Sequence, residues 1–126
     1  MDTITAPQIT RLPDSSLGLE AVRQAVCALI EEYAHNGAAG PEVALEPVLD
    51  PVNDHYLLVE VGWRQNRRVY QSLIHLDIID GKVWIQRNET DQPIARELME
   101  AGIPRECIVL GLQRPDRRQF TDYAAA

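Results

Sequence analysis

His75 and Asp77 stand two residues apart in a run whose apolar residues alternate as in a strand, so both side chains leave the same face. An imidazole beside a carboxylate is able to relay a proton, or to contribute two ligands to a metal ion. Either role needs more than the pair: a third convergent ligand with ordered neighbours, or a pocket that displaces a pKa. The pairing set by the flanking turns places Trp84 across from Asp77, Gln86 across from His75 and Glu60 across from Gln71, with Tyr56 on the same face. We therefore read Tyr56, Glu60, Gln71, His75, Asp77, Trp84 and Gln86 as one candidate interface or site face. A structural hydrogen-bonded pair or an interface patch is expected there before a small enzyme or metal-binding protein built on His75 and Asp77, so no catalytic, metal or cofactor residue is assigned.

Trp84 carries more information than the histidine. The face that holds it also holds Tyr56, Leu58, Leu73 and Ile79, which is too apolar to stand wholly in water. Either a second helix and the C-terminal segment cover it, or another subunit or partner does. Two arginine groups are further candidates: Arg64, Arg67 and Arg68 surround one expected turn, and Arg114, Arg117 and Arg118 lie near the C-terminus. Separately, each reads as solvated charge; brought together, six guanidiniums would orient DNA or grip an acidic partner. Gly62, Gly81, Gly102 and Gly111 occur singly and form no phosphate-binding loop, so nucleotide binding has no support. There is no GxSxG, HExxH or CxxC motif, and Cys27 and Cys107 read as buried, reduced thiols.

The elements that must position these residues follow from periodicity. Leu19, Val22, Val26, Leu29, Ile30 and Tyr33 form a helical stripe, with Ser15 or Ser16 as N-cap, Asn36-Gly37 as the stop and His35 favouring the negative end of the dipole. Val43 to Leu49 reads as a strand. His55 to Trp63 is expected to place Leu57, Val59, Val61 and Trp63 on one face, facing the helix together with Tyr70, Ile74, Leu76 and Ile78 of the strand Val69 to Ile79. Asp80-Gly81 is a two-residue hairpin turn requiring positive φ at both positions, and it sets Ile79 opposite Lys82, Ile78 opposite Val83, Leu76 opposite Ile85 and Ile74 opposite Arg87. A turn at Gln65-Asn66 likewise sets Leu57 opposite Ile74 and Leu58 opposite Leu73. Pro93, the apolar Ile94, Leu98 and Met99, and the Gly102 to Pro104 stop mark a short second helix; CIVLGL is an extended apolar run before a polar tail. The fold class is α+β: an antiparallel meander of about four strands against an N-terminal helix, with a second short helix and an extended C-terminal segment.

With 126 residues there is room for one domain, placed at residues 16–126 behind a flexible lead-in at residues 1–15. No stretch suits a membrane span, and the polar start lacks the layout of a signal peptide, which makes the cytoplasm the default. The formal charge of −7 argues against a protein that coats nucleic acid. It is unevenly spread: residues 1–60 hold ten acids against Arg11 and Arg23, net −8, while residues 61–126 hold nine acids against ten bases, net +1. Eleven of the twelve bases are arginine, a bias that by itself names no partner.

From Asp54 onward the phrases DHYLLVEVGW, RRVYQSLIHLDIIDGKVWIQRNET, IARELMEAGIP, ECIVLGLQRP and RRQFTDYAAA occur in that order. Together they resemble the XisI-like family, named for the fdxN-element excision controlling factor of filamentous cyanobacteria, over roughly residues 17–126. The resemblance implies a cytoplasmic accessory factor in site-specific DNA excision. It would work beside a separate recombinase and a companion of the XisH-like family, which resembles nucleases, and would contact DNA indirectly. It carries over no catalytic residue and implies no cofactor, and a homo-oligomer is compatible with it. The expectation is a non-enzymatic partner protein, with a DNA-binding accessory factor using the arginines as the alternative.

Overall fold

The structure, a computed structural model, describes residues 15–37 and 40–126. The expected lead-in thus falls outside the described residues but for its last residue, as do the side chains of Ser15 and Ser16 proposed as N-caps and two residues of the loop after the first helix. Helix α1 runs Ser15–Asn36, with His35 in its last turn as expected. The strands are β1 (Val43–Asp50), β2 (His55–Arg64), β3 (Arg67–Ile79), β4 (Lys82–Asn88) and β5 (Ile108–Val109). Helix α2 (Ile94–Glu100) links β4 to a single 3-10 turn at Arg105–Cys107, and α3 (Pro115–Arg118) lies in the tail.

The sheet has the order β1-β2-β3-β4-β5, antiparallel except for the last pair, so the α+β meander expected from the sequence is present with one strand more. The extra strand comes from the CIVLGL run, whose Ile108 and Val109 pair in parallel with Val83 and Trp84. Edge strand β1 carries Pro47 at its middle, where a missing N–H costs no ladder bond and discourages pairing with another chain. At the β3–β4 turn Asp80 has φ 52° and Gly81 φ 78°, the two positive values that the hairpin requires.

One layer of core lies between α1 and the sheet. Val22, Val26 and Ile30 meet Tyr56, Leu58, Ile74, Leu76, Val83 and Ile85, all nearly inaccessible to water. Burial of side chains this size contributes about 1.5–3 kcal/mol each before the entropy of ordering them is counted. Ile94 and Leu98 of α2 and Ile103 beyond it complete the same cluster. The helix is also pinned by polar contacts: Arg23 Nε and Nη2 donate to the two carboxylate oxygens of Asp54 at 2.8 and 3.1 Å, and Tyr33 Oη donates to Glu97 at 2.6 Å.

The expected assignment of the faces of β2 is overturned. Tyr56 and Leu58, placed by simple register on the far face, are buried against α1, whereas Leu57 and Val59 are only partly buried and Trp63 and Tyr70, expected toward the helix, are exposed. The cause is a bulge at Leu73: Glu60 faces Gln71 as expected, but Leu58 faces Ile74 and Leu57 faces His75. A second bulge at Gln86 sets His75 opposite Arg87 and Ile74 opposite Asn88, leaving the pairs nearer the turn unchanged. One inserted residue shifts every pair beyond it, and a shift of one exchanges faces.

Candidate functional site

The bulge at Leu73 brings a residue into play that alternation alone had placed elsewhere. With the register advanced by one, His55 lies directly opposite Asp77, and His75 lies two residues away on the same strand face. His55 Nδ1 stands 2.7 Å and His75 Nε2 2.8 Å from the same oxygen, Asp77 Oδ1, while Gln86 Nε2 donates to Oδ2 at 3.2 Å. The two rings meet edge to face with centroids 6.2 Å apart. Asp77 is 7% exposed, His55 is half-exposed and His75 intermediate, so the carboxylate forms the floor of the cluster and an imidazole its open side.

The electrostatics follow from that arrangement. Burial pushes the Asp77 carboxyl up, but hydrogen bonds from His55, His75 and Gln86 together outweigh it and hold the group below its ordinary value. The hydrogen bond to the same carboxylate raises His55 above the ordinary imidazole value. The three donor atoms lie within 4.8 Å of one another, so the cluster is compatible with proton relay, with a fixed hydrogen-bonded triad or with holding a cation.

Of the seven residues expected on one face, the structure brings together His75, Asp77, Trp84 and Gln86, with His55 added. Tyr56 belongs to the core under α1, where its hydroxyl donates to Asp54 at 2.7 Å. Glu60 and Gln71 form a separate pair, Gln71 Nε2 donating to Glu60 at 3.0 Å and Arg64 Nη2 to the same carboxylate at 3.1 Å.

Trp84 is partly covered from within the chain, by the tail and not by α2, which packs with α1 on the other side of the sheet. Arg118 stacks its guanidinium 5.0 Å from the indole centre and donates to the carbonyls of Gly111 and Gln113. Gly111 passes so close that a Cβ there would sit 3.1 Å from Trp84 and 2.6 Å from Gln86 Oε1, so a larger residue would have to displace the Gln86 amide. Leu112 donates its N–H to Ile85, and Ala124 bonds back to Ile108, fastening the tail at both ends.

Beyond the tail the outer face is open. Val48, Trp63 and Tyr70 project from it at 46, 50 and 70% exposure, beside the partly buried Leu57, Val59 and Val61. The His55–Asp77–His75 cluster marks the boundary between the covered and the open parts. The arginine groups do not come together. Arg68 stacks on Trp63 at the β2–β3 turn, whereas Arg118 stacks on Trp84 across from Asp77, nine residues along β3 from Arg68 and thus roughly 30 Å away. Arg114 is paired with Asp116 at 2.8 Å, and Arg67 lines a shallow surface hollow with Arg64 and Tyr70. A cleft of about 590 Å³ lies between α1 and α2 on the far side of the sheet and gathers Glu32, Glu97 and Glu100 around an alanine- and leucine-rich wall.

The fold and the order of these parts have counterparts. A family model described as XisI protein matches residues 18–125. The chain belongs to the XisI family. Among solved structures, a XisI-like protein from Anabaena variabilis is 44% identical with a TM-score of 0.82, covering 86% of this chain and 99% of its own. The fdxN element excision controlling factor XisI from the same organism is 32% identical with a TM-score of 0.72, covering 82% of this chain and 95% of its own. No curated protein matches the chain. As in the resemblance read from the sequence, the family name denotes a controlling factor of element excision. No described helix of this XisI-family chain is long and apolar enough to cross a membrane.

Proposed function

We propose that this XisI-family chain is a non-enzymatic controlling factor that acts by binding a nuclease-like partner of the XisH-like class. The observation that carries the reading is the open half of the outer sheet face, where Val48, Trp63 and Tyr70 stand exposed on a rigid strand platform. Aromatic side chains on a flat, fixed surface are the usual anchors of a protein interface. Charge supports the choice of partner. The first half of the chain, which supplies β1 and most of β2, is strongly acidic, and a protein that handles DNA presents a basic surface that such a field attracts. A DNA-binding role through the arginines is less well supported, because their two groups lie at opposite ends of the sheet.

The test is co-elution of the chain with a XisH-like protein from the same organism on a sizing column. A stable complex is expected with the wild type and its loss with Val48→Glu/Tyr70→Glu, while the thermal midpoint of the double variant stays within a few degrees of wild type. Absence of a complex at low and moderate salt would remove the partner claim.

A further inference from the structure

We propose that His55, His75 and Asp77 form a site for a zinc-class divalent cation, with two imidazole nitrogens, one carboxylate oxygen and a fourth position open to solvent. The donor set is that of zinc sites that keep an exchangeable ligand: nitrogen and oxygen donors, three from the protein, on one side of the ion. The three come from adjacent strands locked by the β2–β3 ladder, so the backbone is already in place before any ion arrives. His55 Nδ1 and His75 Nε2 point at one oxygen from two directions, and all three donor atoms lie within 4.8 Å of one another.

Two features favour a cation over a purely structural triad. Asp77 is 7% exposed, and its side-chain partners are two imidazoles and one amide, none of them permanently charged. A carboxylate so enclosed, with two imidazole nitrogens gathered on one of its oxygens, presents a charge that a dication neutralises. Gln86 Nε2 holds the second oxygen at 3.2 Å, the outer contact that orients a ligating carboxylate toward its ion. The entry path lies on the side of His55, whose ring is 53% exposed.

The adjustment required falls on the side chains. Bonds of about 2.0–2.1 Å to a tetrahedral ion put neighbouring donor atoms about 3.4 Å apart. The present nitrogen–oxygen separations of 2.7 and 2.8 Å must therefore open by about 0.6 Å. The two nitrogens, within 4.8 Å of each other, must at the same time close toward that spacing, so rotation of the half-exposed His55 ring and of the His75 ring would have to supply both changes on the fixed strands. Each neutral ring keeps one proton, now on its far nitrogen, and turns the lone pair of the near nitrogen to the ion.

The experiment is calorimetric titration of zinc chloride into the tag-free, chelator-stripped full chain, with parallel thermal melts. Binding of one zinc per chain and a raised thermal midpoint are expected, with no response to magnesium, which takes oxygen ligands. His55→Gln and His75→Gln, both at positions open enough to fold normally by circular dichroism, are expected to lose affinity by about 100-fold or more and to lose the thermal shift. The proposal is overturned if the wild type shows neither heat nor thermal shift, if magnesium does as well as zinc, or if both histidine variants bind as the wild type does.

Discussion

Asp54 shows how much one residue of this chain can join. It occupies the left-handed region at φ 60°, a conformation that aspartate tolerates in turns, and its carbonyl accepts from Ile78 N–H at 3.1 Å. Its carboxylate meanwhile takes the fork of Arg23 from α1 and the hydroxyl of Tyr56 from the core. Arg23 above all, and then Tyr56, hold Asp54 below its ordinary value of 3.8 against the upward push of burial. A group whose folded value is depressed contributes stability that is complete above its unfolded value and lost as pH falls through the folded one. In chelator-treated protein, the wild type is therefore expected to melt higher than Asp54→Asn at pH 6, and the gap to narrow steadily as pH falls below about 4. A gap that stays constant to pH 2 would mean that the Arg23 pair does not stabilise the fold. Read as sequence, Asp54 is only the last residue of a turn; its partner lies 31 positions away, and nothing in the spacing announces the pair.

The strands were legible in their positions and the bulges were not. Asp80-Gly81 fixed its hairpin because only positive φ closes a two-residue loop there, and the pairs from Ile79 to Leu76 stand as read. On β2 the pattern gives no such purchase. Tyr56 and Leu58 are as apolar as Leu57 and Val59, so either face could be turned to the helix, and the choice falls to a bulge at Leu73 that no residue type demands. This is also why His55 was missed while His75 and Asp77 were found: the pair lies on one strand, whereas His55 reaches them only through the shifted register. The corrected faces make opposite demands on neighbouring leucines. Leu58→Ala, which empties a fully buried position, is expected to cost about 2–5 kcal/mol in urea denaturation. Leu57→Ala, on the open outer face, is expected to cost clearly less. The reverse order would restore the simple register and dissolve the histidine cluster with it.

At the scale of the whole molecule, charge and shape divide the work between the two ends of the sheet. The acidic first half supplies α1, β1 and most of β2, whereas Arg64, Arg67 and Arg68 gather at the β2–β3 turn beside Trp63 and Tyr70. The cations that remain are largely engaged within the chain: Arg23 with Asp54, Arg114 with Asp116, and Arg118 with Trp84 and two backbone carbonyls. DNA affinity of useful strength requires several guanidiniums or ammoniums over one stretch of backbone, each releasing a counterion. Here the two arginine groups are separated by roughly 30 Å of strand, and the molecule between them is net acidic. The isolated chain is therefore expected to leave the fluorescence anisotropy of a labelled duplex unchanged at physiological salt, and to show at most a weak rise at low salt that Arg67→Ser/Arg68→Ser removes. A tight, steeply salt-dependent isotherm from the chain alone would favour direct DNA contact over the partner reading. Under the partner reading, DNA binding appears only with the XisH-like protein present, and Arg67→Ser/Arg68→Ser leaves that complex intact while Val48→Glu/Tyr70→Glu breaks it.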